Sequence, residues 1–201
     1  RDLKKTKEDF ALVLSYVNKA LDFNEHDIPT LYYQAWMYRQ IKDYDKSLEI
    51  YRKLEAYPTH SISIERSIAE VLYQNLGKNG AECLKYFEKL RDMYPEDDIN
   101  YFYLGTTYRY MRQLDKAEEA FKKEIELAPD DIDGYKGLSF VYDYQHKFDQ
   151  VLELIDTMIK MEKDPERISD YHFRRHKMYA RLGEPLGAIL ALDECEKASP
   201  N

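Results

Sequence analysis

Tyr101-Phe102-Tyr103-Leu104-Gly105, followed by Tyr108, Ala117, Phe121 and Pro129, is the stretch that decides how this chain folds. Tyr101, Leu104 and Tyr108 recur at three- and four-residue steps, the spacing of one buried helical face. Ala117 and Phe121 continue it on a second helix. Outward from this stretch the pattern repeats. Tyr51, Phe87, Phe121, Ile155 and Leu192 share one slot at spacings of 36, 34, 34 and 37, and Val17 lies 34 before Tyr51. Self-similarity near this period marks stacked units, each a pair of helices that cannot bury its apolar face alone.

Residues 1–27 supply only a second helix (helix B), with Phe10, Val13, Leu14, Val17 and Leu21 on one face. Unit 28–60 carries Leu31, Ala35 and Tyr38 on its first helix (helix A) and Ser47, Leu48, Tyr51 and Leu54 on helix B. Small Ala35 and Ser47 let two axes approach while the tyrosines fill the space between layers. Unit 61–97 is irregular. Leu76-Gly77-Lys78-Asn79-Gly80 reads as a long inter-helix turn, and either Ala69 or Glu70 takes its small slot opposite Cys83. Unit 98–131 is the clearest, and 132–166 follows it with an excess around Asp164-Pro165-Glu166. In 167–201, His172, Arg175 and His176 stand where an aromatic, an apolar and a small residue belong. That unit either packs loosely or is displaced in register.

The aromatic, Leu-Gly, Tyr, Ala, Phe, Pro succession resembles the tetratricopeptide repeat family across essentially the whole chain. The resemblance implies an all-α, right-handed α-α superhelix, a solenoid of helical hairpins forming a single domain. It also implies that a second face of helix A lines a concave groove for extended or helical peptides. A subtype of the family grips a chaperone's C-terminal carboxylate with Lys and Asn on helix A. Tyr32, Trp36, Phe102 and Thr106 stand in those slots here, so that clamp does not fit.

Composition limits the alternatives. The 201 residues amount to about five and a half to six such hairpins. With 7 Gly and 7 Pro the chain lacks the tight turns of a sheet protein, and 19 Tyr and 8 Phe supply too much apolar surface for disorder. The net charge of −8, from 38 acidic and 30 basic residues, argues against phosphate-driven nucleic-acid or anionic-membrane binding. No run approaches the ~20 apolar residues of a membrane span. Cys83 and Cys195 form no framework, which favours a reducing, cytoplasmic setting, although an upstream signal could precede Arg1. Neither end carries a polar cap, so either the repeats continue beyond these residues or an end face pairs with another chain.

Catalytic spacings are absent: no Gly-x-Ser-x-Gly, no phosphate loop, no His-Glu-x-x-His. The sequence therefore reads as non-enzymatic, with no cofactor and no metal. His172 and His176 share a helix face, which suits either a transition metal or polar packing; no third ligand is near in sequence, and Arg174 and Arg175 oppose a cation. Cys83 and Cys195 fall at packing slots, as inert buried thiols do. Asp115, Glu118 and Glu119 beside Lys122 and Lys123 fit solvated helix pairing.

The candidate binding residues form the second stripe of helix A. They are Tyr32, Tyr33, Trp36 and Arg39 in the first complete unit and Phe102, Tyr103, Arg109 and Tyr110 in the third. The fourth adds Lys136, Phe140 and Tyr144, and the fifth Phe173, Arg174, Lys177 and Arg181. Aromatics interleaved with Arg are typical of interface hot spots. Each ring could equally wedge between neighbouring hairpins, and the basic edge of Arg174, Lys177 and Arg181 is either a solvated face or an anionic-peptide site. The partner expected is a protein or peptide with acidic character and apolar or aromatic anchors. A self-assembly scaffold and a regulatory appendage of a larger protein are the alternatives.

Overall fold

The computed structural model describes residues 3–58 and 62–199, with side chains from Asp9 onward. The 60/61 unit boundary and the closing Pro200 fall outside the described residues. Among them eleven helices follow one another without a strand. They are α1 (Leu3–Phe23), α2 (Ile28–Gln40), α3 (Tyr44–Glu55), α4 (Ile62–Tyr73), α5 (Leu76–Met93), α6 (Asp98–Tyr110), α7 (Leu114–Leu127), α8 (Ile132–Tyr144), α9 (Phe148–Met161), α10 (Pro165–Leu182) and α11 (Pro185–Ala198). The all-α hairpin repeat expected from the period is present. The chain divides into two compact units, one ending at Met93 and the other beginning at Tyr94.

Helix starts follow local chemistry. The Asp27 carboxylate accepts from the Thr30 amide at 3.1 Å ahead of Pro29 in the first turn of α2. The Asp164 carboxylate accepts from the Glu166 amide at 3.0 Å, and Pro165 opens α10. Asp164-Pro165-Glu166 is thus an N-terminal cap, where an orphan N–H meets a carboxylate. Four A-to-B turns share one construction. Lys42, Arg112, His146 and Gly183 take φ values of 63°, 62°, 59° and 75°. The next amide donates back to Tyr38, Tyr108, Tyr142 or Tyr179, each at 2.9 Å, closing the preceding helix.

In the first unit α1 packs on α2, α2 pairs with α3, α3 packs on α4, and α4 pairs with α5. Tyr51, Leu54, Ile68, Leu72, Phe87 and Leu90 form its core. Small residues set the helix approach: Ser47 Oγ donates to the Ala35 carbonyl at 2.8 Å, and Cys83 Sγ lies 3.7 Å from the Ala69 carbonyl. Ala69, not Glu70, therefore holds the small slot. The long turn expected at 76–80 is instead the first turn of α5, which begins at Leu76 after only Gln74 and Asn75. Gly80 is buried there, so packing overrides its turn propensity.

In the second unit α6 pairs with α7, α8 with α9, and α10 with α11, while α7 packs on α8 and α9 on α10. The buried Phe121 ring wedges between α6 and α8. A Cβ would fall 2.8 Å from it at Gly105 and 2.2 Å at Gly137, so both glycines exist to admit the ring. The α10–α11 hairpin keeps its register: His176 fills the small-residue position, its Nδ1 2.8 Å from the Ala188 carbonyl. Opposite, Gly187 accommodates the Tyr179 ring.

Candidate functional site

On α2 the second stripe splits into two roles. The Tyr32 hydroxyl lies 3.1 Å from Ser67 Oγ on α4, and its ring meets Tyr51 edge-on at 5.5 Å. Arg39 forms an ion pair with Glu70, also on α4. Both residues hold successive A helices together. Tyr33 and Trp36 stack on each other at 5.6 Å and stay exposed. They form an uncommitted aromatic platform.

In the second unit the stripe becomes a ladder of cations lying on rings. The Arg109 guanidinium on α6 sits 5.4 Å from the Phe140 ring centre on α8, and Arg174 on α10 approaches the same ring at 4.2 Å. Arg112 lies 4.6 Å from Tyr144, and Lys177 4.3 Å from Phe173. Among the described residues, none of these four cations is in a salt bridge. Arg174 donates to Ser139 Oγ at 2.8 Å; burial lowers its pKa, with Asp143 and Tyr171 opposing that shift. Cations on ring faces keep much of their charge available while the ring restrains their geometry.

The remaining candidates are committed elsewhere or lie nearby. Arg181 pairs with Asp143 and stacks on Phe148 at 4.3 Å. Lys136 is tied to Asp133 at 3.1 Å. Phe102 and Tyr103 meet edge to face at 5.5 Å and are half-buried, whereas Tyr110 is exposed. Phe140, Asp143, Phe173, Arg174, Lys177 and Arg181 line an open cleft of roughly 530 Å³ contributed by α8 and α10. A larger groove of about 700 Å³ runs along α1 and α2, with Asn18, Asp22, Glu25 and Gln34 in its walls. It holds none of the stacked cations.

Arg112 escaped the sequence pattern. Helical spacing ends at Tyr110, and Arg112 lies in the turn beyond it, with φ of 62° and its guanidinium 4.6 Å from the Tyr144 ring centre. Aligning the turn residues 42, 112, 146 and 183 would have exposed it. His172 and His176 do not converge on a common point: Arg175 lies 3.0 Å from His172 Nδ1, and His176 meets the Ala188 carbonyl. Burial first, then Arg175, lowers the His172 pKa. Among the described residues no group of three His, Cys, Asp or Glu side chains could hold a metal ion, and no helix is long and apolar enough to cross a membrane. Cys83 is buried, while Cys195 is only half-buried beside Ser169.

Two family models, both described as tetratricopeptide repeat, match residues 30–60 and 99–131, one stretch in each unit. No curated protein matches the chain. Among solved structures, a tetratricopeptide repeat protein from Parabacteroides merdae shares 18% identity at a TM-score of 0.76, covering 98% of this chain and 76% of its own. MamA shares 18% identity at 0.74, covering 86% and 92%. YrrB, described as a TPR protein with an unusual peptide-binding site, shares 16% identity at 0.65, covering 90% and 87%. With matched repeats in both units and the same hairpin built again and again, this chain belongs to the tetratricopeptide-repeat family.

Proposed function

We propose that the chain is a non-catalytic protein-interaction scaffold whose second unit binds an acidic peptide segment with aromatic or apolar anchors. The observation that carries this reading is the ladder of Arg109, Arg112, Arg174 and Lys177 on Phe140, Tyr144 and Phe173. In a chain of net charge −8, these four cations, three on A helices and Arg112 in the turn after α6, form no salt bridge among the described residues and concentrate positive charge beside the rings. Carboxylates of a ligand would set register and orientation there, and its apolar anchors would supply affinity against the exposed ring edges. The exposed Tyr33–Trp36 stack offers the first unit a separate, uncharged aromatic contact. YrrB, of like fold, is described as a peptide binder, which is compatible with this use.

The test uses fluorescein-labelled peptides with alternating Glu/Asp and Phe/Leu, and Lys-substituted twins, titrated by anisotropy. The acidic peptide should bind, weaken with added salt, and lose at least about tenfold in affinity against R174E/K177E. Equal binding by the charge-reversed variant, with unchanged circular dichroism, would remove the proposal.

A further inference from the structure

The B helices offer an internal comparison on their outward side. Aligned on the slot of Ser47, Cys83, Ala117, Val151 and Ala188, the position two residues earlier holds Asp45, Ala81, Asp115, Asp149 and then Leu186. Two residues after the slot stand Glu49, Lys85, Glu119, Glu153 and then Leu190. All ten are solvent-exposed. Four hairpins place charged or small side chains on this side, and α11 alone makes both leucine.

The neighbouring Ile189 and Leu192 occupy a different position on the helix. Their equivalents in α7, Glu118 and Phe121, lie against the next A helix: Glu118 accepts from Tyr142 at 3.3 Å and Phe121 abuts Gly137. Exposure at 189 and 192 is what that stacking position gives by itself and carries no weight. Leu186 and Leu190 cannot be explained so, because their equivalents face solvent even where another hairpin follows. Leu186 and Leu190 are 76% and 64% exposed, an i, i+4 pair one turn apart on a single helix face.

We infer that the outer face of α11 is a second interaction surface whose occupant is an amphipathic helix of another protein with Lys or Arg along its flanks. Charge decides the flanks. Glu184 caps the helix and Asp193, Glu194 and Glu196 lie on it with Lys197, which bonds Asp193 at 2.6 Å and Glu194 at 3.3 Å; four acids against one cation leave this helix net acidic. Size decides against a second copy. A few side chains fall well short of the roughly 800 Å² per partner that a stable dimer buries, and self-pairing would bring two acidic rims together. A single helix laid across two leucines one turn apart matches the surface available.

The probe is a labelled amphipathic peptide of about 18 residues with a Leu stripe and Lys flanks, set against a Glu-flanked twin. The variant is L186D/L190E, which installs the residue types of the other hairpins and so should fold. Wild-type protein should bind the Lys-flanked peptide at least about tenfold more tightly than the twin, and the variant should lose about tenfold, with unchanged circular dichroism. The variant is more acidic, so non-specific attraction would strengthen rather than weaken; the loss isolates the leucines. Equal or tighter binding by the variant, or no preference for Lys flanks, overturns the proposal. So does a concentration-dependent dimer in sedimentation that the variant abolishes, since the occupant would then be a second copy.

Discussion

The guanidinium of Arg174 lies 4.2 Å from the centre of the Phe140 ring, joining α10 to α8 through a cation on an aromatic face. Removing either member should disable the same element. F140A and R174A should each weaken acidic-peptide binding by more than about 1 kcal/mol, and the double variant by less than their sum. R174K keeps the charge and loses the planar stack, so it should recover only part of the affinity. Anisotropy titrations of the four proteins at two salt concentrations give the coupling directly.

Two glycines separate steric from conformational demands. At Gly183, with φ of 75°, an added Cβ meets nothing within 4 Å. G183A should therefore destabilise by about 1 kcal/mol through backbone strain alone. At Gly137 the added atom would fall 2.2 Å from the buried Phe121 ring, forcing that ring or α8 to move. G137A should cost about 1–3 kcal/mol, and shrinking the ring with F121L should relieve part of it. Urea unfolding measures both.

Helix α7 carries two carboxyls that respond oppositely to pH. Burial, reinforced by Asp131, Asp133 and Asp98, pushes Glu124 up to about 8. The folded state then holds a proton that the unfolded chain releases near 4.5, so stability falls as pH rises from about 4.5 to 8. E124Q should raise the melting temperature at pH 8 and flatten its slope through that window. Burial also pushes Glu118 upward, but hydrogen bonds from Lys122, Lys147 and Gln145 outweigh it and hold the group at about 2. Its stabilisation is present above 4.5 and lost as pH falls toward 2, so E118Q should destabilise at neutrality and matter little at pH 2. Thermal melts from pH 2 to 9 distinguish the two slopes.

Trp36 is the single tryptophan of the chain, exposed and stacked on Tyr33. A ligand covering the first unit's platform should shift its emission to shorter wavelength, whereas one held only by α8 and α10 should leave it unchanged. W36A should leave stability within about 0.5 kcal/mol. R39A, by breaking the partly buried pair with Glu70, should lower stability by about 1 kcal/mol.

The repeat was legible because the Tyr51, Phe87, Phe121 and Ile155 slot recurs by packing necessity, and each is fully buried. The start of α5 was not, because Gly77 and Gly80 carry turn signals that tertiary contacts override. In the candidate site, residue types and helix faces could be read, but their division of labour could not. Tyr32 and Tyr33 are adjacent, yet one bonds Ser67 and the other stacks on Trp36. Arg39 and Arg174 look alike in a stripe; only the structure shows one neutralised by Glu70 and the other resting on a ring. Partners about 31 to 35 residues away are set by how hairpins stack, which local periodicity does not encode.

Within each unit, helices touch chiefly the next helix along the chain. Little loop-closure entropy then opposes assembly, so relative contact order is low and collapse should be rapid. Any hairpin can nucleate and its neighbours add on, while destabilising one hairpin melts it ahead of the rest. Denaturation should therefore lose all-or-none character, with probes in different hairpins reporting different midpoints.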